Sequence, residues 1–178
     1  HKNGEIDSTA IFSNGQSGDF ISGNHIDSAF LNPTLDNRSD LARLQKITTA
    51  LVRKHYGLWM TLNTKENLHN LGHILSKQIM GLEGLSKQPC NDFGVYEAIE
   101  FINRQSKYVL NGLKTYEYFG HQWSVPLCDR DYMDFWANVP LKLKTQQQLY
   151  KETLIKQNWG NVWRDIEINP PARTSRAF

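Results

Sequence analysis

Thr9-Ala-Ile-Phe-Ser-Asn-Gly-Gln-Ser-Gly-Asp19 is the stretch that decides the fold. Its first half, Thr9 to Ser13, is a short apolar run with β-branched and aromatic members. Its second half sets Gly15 and Gly18 around a small hydroxyl residue, Ser17, and ends on the carboxylate of Asp19. An apolar run stopped at once by glycines predicts a buried strand that feeds a tight loop. Glycines let backbone N–H groups approach an anion closely, and a carboxylate beyond them suits a cation, an amine or a ribose hydroxyl. In open α/β sheets such a site lies at the carboxyl end of a strand. Turns rich in Gly, Ser and Asp also arise for geometric reasons alone, and that reading stands beside the functional one.

Downstream of this loop, Phe20 can open a short helix, and Asn24 to Asn37, rich in Asn, Asp and Pro, reads as a loop. From Ser39 the apolar residues recur every three or four positions, as an amphipathic helix requires: Leu41, Leu44, Ile47 and Leu51 run to Gly57 behind a cap at Ser39 or Asp40. A second helix is capped by Thr64, carries Leu68, Leu71, Ile74, Leu75 and Ile79, and ends at Gly81 and Gly84. A third starts with Asp92 as its cap and runs to about Gly120, with a kink expected at Gly112. Trp123 to Asp129 reads as a turn or a short extended piece. Tyr132 to Asn138 is a short helix stopped by Pro140, and Gln146 to Gln157 a last helix covered by the aromatics of Trp159 to Trp163. Most of the chain is thus expected to be helical, with one or a few short strands.

The 178 residues are one domain's worth of sequence, closed by an irregular tail over 169–178. Twenty Lys and Arg against 18 Asp and Glu give a net charge of +2, without the concentrated positive field that binding a nucleic-acid backbone needs. No apolar run approaches the roughly 20 residues of a membrane span. Cys90 and Cys128 have no CxxC partner and read as reduced thiols, so a cytoplasmic setting and no metal site are expected. His69 and His73 are four apart on a predicted helix, but Asn70 stands where a zinc protease motif has its glutamate, and two polar-face histidines are the simpler reading. Asp129, Asp131 and Asp134 lack the glycine of a calcium loop, and one of them is expected to cap a helix. The late tryptophans read as core, and Lys142, Lys144, Lys151 and Lys156 as solvent-facing.

Two separated segments together resemble one family. Asn14-Gly-Gln-Ser-Gly-Asp-Phe-Ile-Ser-Gly-Asn-His25 resembles the Gly-Glu-Gly-Ser-Asp-Glu-x-x-Gly-Gly-Tyr segment of glutamine-hydrolysing asparagine synthetases. Trp123-x-x-Pro126-Leu127-x-Asp129, followed by Asp134-Phe135, Pro140, Lys144 and Leu149-Tyr150-Lys151, resembles that family's Arg-x-Pro-Phe-Leu-Asp stretch in order and spacing. Arg104 to Tyr108 falls where the family carries a basic run.

The resemblance implies an α/β fold of the adenine-nucleotide α-hydrolase type, an ATP-pyrophosphatase, of which this chain is the C-terminal portion of the synthetase domain. It implies an ATP-dependent ligase, with Mg²⁺, that adenylates a small-molecule carboxylate and passes ammonia to it, in asparagine or surface-polysaccharide biosynthesis. The ammonia comes from glutamine, through a glutaminase domain or protein, or from solution. Carried over by position, Gly15, Gln16, Ser17 and Gly18 face the substrate and pyrophosphate, and Asp19 is the catalytic carboxylate. Asp129, Arg104, Lys107 and Lys151 organise the site. The departures carry information too. Gln16 and Phe20 replace two glutamates of the family pattern, His25 replaces its tyrosine, and no Ser-Gly-Gly-x-Asp-Ser phosphate loop occurs in these 178 residues. The chain is therefore expected to be part of a larger protein, or a non-catalytic helical interaction module derived from the same fold.

Overall fold

The structure, a computed structural model, describes residues 6–7, 9–31, 39–55, 60–82 and 91–168. The expected helix stops at Gly57 and Gly84, the thiol of Cys90 and the tail over 169–178 lie outside the described residues. Within them the chain is mostly helical, with two short strands. Among the described residues, no helix is long and apolar enough to cross a membrane.

Strand β1 (Ile11–Ser13) pairs in parallel with β2 (Gln122–Ser124), with Phe12 opposite Trp123. β1 was expected to be buried, and it is not. Only the central residue of each strand is half-buried, because one face alone is covered; there Tyr116 stacks on Phe12 at 4.5 Å and the His121 ring meets it edge-on at 5.2 Å. Ile11 stays exposed.

A first core is built by α2 (Asp40–His55), α3 (Lys65–Gly81) and α4 (Asp92–Glu100). Helical spacing puts Ile47 and Leu51 of α2 against Leu75 and Ile79 of α3 and Tyr96 and Ile99 of α4, with Phe30 closing the cluster from a 3₁₀ turn. Ser39 and Thr64 cap α2 and α3 as expected, their hydroxyls accepting from Ala42 N at 3.4 Å and Asn67 N at 3.2 Å. Asp92 does not cap α4. Its carboxylate is buried and accepts from Arg43 at 2.8 Å, with Lys46 at 3.2 Å. Removing one partner of such a pair costs about 3–5 kcal/mol, because the other charge stays buried.

The helix that begins at α4 runs on to Tyr118 with changing pitch. A wide π-helical stretch (Phe101–Leu110) follows α4, then a tightened 3₁₀ turn (Asn111–Leu113) and α5 (Lys114–Tyr118). The irregularity expected at Gly112 coincides with the tight turn; the larger departure, the π stretch, begins at Phe101. Wide turns of this kind are frequent at functional sites.

A second core gathers Phe20 and Ile21 of α1 (Gly18–Ile21) with Trp136 of α6 (Arg130–Asn138) and Val139. Phe101 packs on it, so the long helix touches both cores. Asp129 caps α6, accepting from Asp131 N at 2.9 Å, and Pro140 stops it before α7 (Leu141–Lys144). The last helix, α8 (Gln148–Gln157), starts later than Gln146, because Gln146 and Gln147 have positive φ. Two further expectations are corrected. Among the tryptophans Trp136 is core, whereas Trp159 is largely exposed. Lys144 is buried, because Glu97 neutralises it at 2.8 Å.

Candidate functional site

The loop after β1 is held from three sides. Asn14 N donates to Ser124 O of β2 at 2.9 Å, and Tyr116 of α5 donates to the Asn14 side chain at 3.2 Å. Ser17 is buried with φ 64°, a left-handed conformation that an L-residue keeps only when its surroundings hold it. Its hydroxyl donates to Gln105 Oε1 at 2.8 Å. Gly18 packs where a Cβ would come 2.4 Å from Leu127 Cδ1, so α1 lies directly against the Pro126–Cys128 turn and a larger residue would have to displace the end of the Leu127 side chain. Among the described residues, no backbone carbonyl accepts from the N–H groups of Gln16 and Ser17.

Beyond α1 the chain turns back and places His25 between two carboxylates. His25 Nδ1 lies 2.5 Å from Glu100 Oε1, and Nε2 lies 3.2 Å from Asp19 Oδ2. Glu100 is wholly buried, His25 nearly so, and Asp19 is half exposed. The His25 backbone is fixed as well, its carbonyl accepting from Tyr96 Oη at 3.2 Å. On the other side of Glu100, His55 Nε2 stands 3.5 Å from Oε2, and Gln105 donates to Oε1 at 3.2 Å. The π stretch explains Gln105: in a regular α-helix positions five apart lie about 140° round the axis, whereas a wider turn brings Gln105 alongside Glu100. From there the same side chain reaches Ser17, so one amide links the loop to the buried carboxylate.

The electrostatics follow from this packing. Burial works to raise Glu100, but the His25 and His55 contacts outweigh it and hold it down at about 2. Asp19 is lowered, chiefly by its bond to His25, against some burial. Burial works to lower His25, yet its bonds to Asp19 and Glu100 prevail and raise it above its ordinary value. All three directions describe one arrangement, an imidazolium between two carboxylates. A second buried pair lies behind α1: burial raises Glu97 despite Lys144.

Of the residues singled out from sequence, Gly15, Gln16, Ser17, Gly18 and Asp19 share the loop, and Ser17 and Gly18 meet the Pro126–Cys128 turn and the long helix. The basic residues do not join them. Lys107 is exposed and bonded to Asn103 at 3.0 Å, and it is Gln105, one residue past Arg104, that reaches the loop. Lys151 is half-buried on α8, and Asp129 serves α6 as its cap. Sequence reasoning passed over Glu100, Gln105 and His55 as a group. The available signal was a carboxylate at Glu100 four residues after Tyr96, on the apolar stripe of α4, where a charge needs a partner. His69 and His73 are exposed on α3, and no group of three or more metal-ligating side chains occurs among the described residues. No family model, curated protein or solved structure matches this chain.

Proposed function

We propose that this chain forms the C-terminal part of an asparagine-synthetase-like synthetase domain of the ATP-pyrophosphatase type, which adenylates a carboxylate and transfers a nitrogen nucleophile to it. The observation that supports the reading is the meeting of two segments far apart in sequence. The loop Asn14–Asp19 and the stretch Trp123–Asp129, each of which resembles a segment of that family, lie against one another through the β1–β2 pairing and the Gly18–Leu127 contact. A chance likeness of two short patterns has no reason to bring them together.

In this reading the amides of Gln16 and Ser17 receive an anionic oxygen of the pyrophosphate or the acyl phosphate, since backbone donors stabilise such charge without reorganisation. Asp19 is the ionised group at the mouth of the loop, set to meet the attacking nitrogen or the substrate's ammonium group. Gln16 is neutral and cannot take a proton. Mg²⁺ in such a reaction is held by one or two carboxylates together with substrate phosphates; the carboxylate that the loop offers is Asp19, which His25 engages at 3.2 Å. The buried phenyl of Phe20, stacked toward Phe101 at 6.3 Å, removes a carboxylate of the family pattern from the site. That loss favours a second reading, a non-catalytic interaction module.

Exchange of labelled pyrophosphate into ATP by the intact protein, with aspartate and sugar acids as candidate carboxylates, separates the two. The ligase reading expects exchange with at least one of them, and expects Asp19→Ala to abolish amide formation from ammonium. No exchange with any carboxylate rejects it in favour of the module.

A further inference from the structure

We propose that His25 is a positioning residue whose imidazolium, clamped between the buried carboxylate of Glu100 and the half-exposed carboxylate of Asp19, fixes Asp19 in the orientation the reaction uses. The proposal rests on the reading of Asp19 as the reactive carboxylate, and the bridge itself stands on geometry. An exposed Asp side chain ordinarily samples several rotamers. Here its Oδ2 is held at 3.2 Å by a ring that is itself held: Glu100 meets Nδ1 at 2.5 Å, Phe20 meets the ring edge-on at 5.8 Å, and Tyr96 donates to the His25 carbonyl at 3.2 Å. Glu100 is in turn held by Gln105, which also holds Ser17. Loop, helix and acid thus form one closed circuit through His25.

Charge decides which protonation state closes that circuit. Neutral His25, with its proton on Nδ1 toward Glu100, would aim a lone pair at the Asp19 carboxylate. The imidazolium donates to both. The titratable groups acting on the ring are Asp19 from α1, Glu97 and Glu100 from α4 and Lys54 from α2, with Tyr96 on the His25 carbonyl and His55 on the other oxygen of Glu100; Lys54 opposes the positive charge and the carboxylates favour it. His25 is raised in the folded protein, so the bridge is complete at and below its ordinary value near 6.5 and is lost as pH rises through the higher folded value. Asp19 and Glu100, both lowered, stay ionised throughout that range.

The test is the imidazole titration of the intact, nitrogen-15-labelled protein by two-bond proton–nitrogen NMR. The expected result is a His25 midpoint above 6.5 that falls in Asp19→Asn, a change at a half-exposed position that leaves both cores intact. A midpoint at or below 6.5, or one that Asp19→Asn leaves unmoved, overturns the proposal. In the ligase assay, wild-type amide formation is expected to decline as pH rises through the NMR midpoint. His25→Gln should reduce it on the order of tenfold to a hundredfold, as misplacement of a reacting group does, and remove that alkaline decline. A variant that keeps the wild-type pH profile refutes the positioning role. Absence of exchange at every pH rejects the ligase reading alone, and the NMR midpoint then decides the bridge by itself.

Discussion

Gly23 carries the tightest constraint near the site. Its φ is +98°, and a Cβ there would lie 2.2 Å from the backbone oxygen of Lys144, an atom that cannot swing aside. The close approach lets Ser22, wholly buried, accept from Gln147 Nε2 at 2.6 Å while its own hydroxyl donates to Gly18 O at 2.6 Å. Gly23→Ala is therefore expected to lower stability by at least about 1–3 kcal/mol from backbone strain alone, read as a reduced midpoint in urea unfolding. Gly120→Ala is the control. It has φ +79° but open space around it, so it should show strain without a clash and a smaller loss; equal losses at the two positions would contradict the packing argument. Ser17, buried with φ 64°, is likewise a backbone constraint, whereas the Gly18–Leu127 contact is with the end of a side chain that can shift.

Helices here are defined by their ends as much as by their stripes. Asp129 illustrates this: by resemblance it is a site organiser, and it is also one of three neighbouring aspartates of which one is expected to cap a helix. The structure gives it a cap's geometry on α6, with φ −60° and ψ 144° and an acceptor bond from Asp131 N. Asp129→Ala is expected to cost about 1 kcal/mol and Asp129→Ser to recover most of it, since a hydroxyl caps nearly as well. Denaturant unfolding of the two variants checks this: a serine variant as unstable as the alanine one would show that the carboxylate acts through something other than the cap. The π-helical stretch is the opposite case, an element whose interior matters more than its ends. Its wide turn brings Gln105 beside both Glu100 and Ser17, an arrangement that the regular spacing of apolar residues in the sequence does not announce.

On the scale of the whole molecule, two apolar clusters share one long helix, which buries Tyr96 and Ile99 in the first and packs Phe101 on the second. The site lies on that helix between them. Because the helix cannot leave one cluster without disturbing the other, a single cooperative transition is expected in calorimetry. Ile99→Ala and Trp136→Ala, costing about 2–5 and 3–5 kcal/mol, should each move that one transition. Two transitions, with each variant shifting only its own, would show that the clusters fold independently. The acidic and basic groups buried between helices, Arg43 with Asp92 and Lys144 with Glu97, tie the same elements and are satisfied in pairs.

What could be read from sequence was what local chemistry enforces. The stripes at Leu44–Ile47–Leu51 and Leu71–Leu75–Ile79, the caps at Ser39 and Thr64, the stop at Pro140 and the strand-to-loop turn at Ser13–Asn14 depend on neighbours a few residues away, and each stands where periodicity and capping put it. Tertiary structure alone decided the burial of Lys144 and Asp92, the exposure of Trp159 and Ile11, and the meeting of Asp19, His25, Glu100, Gln105 and His55. A charge is free to enter the interior only when its partner arrives from another element. That partner is tens of residues away along the chain, where no local pattern records it.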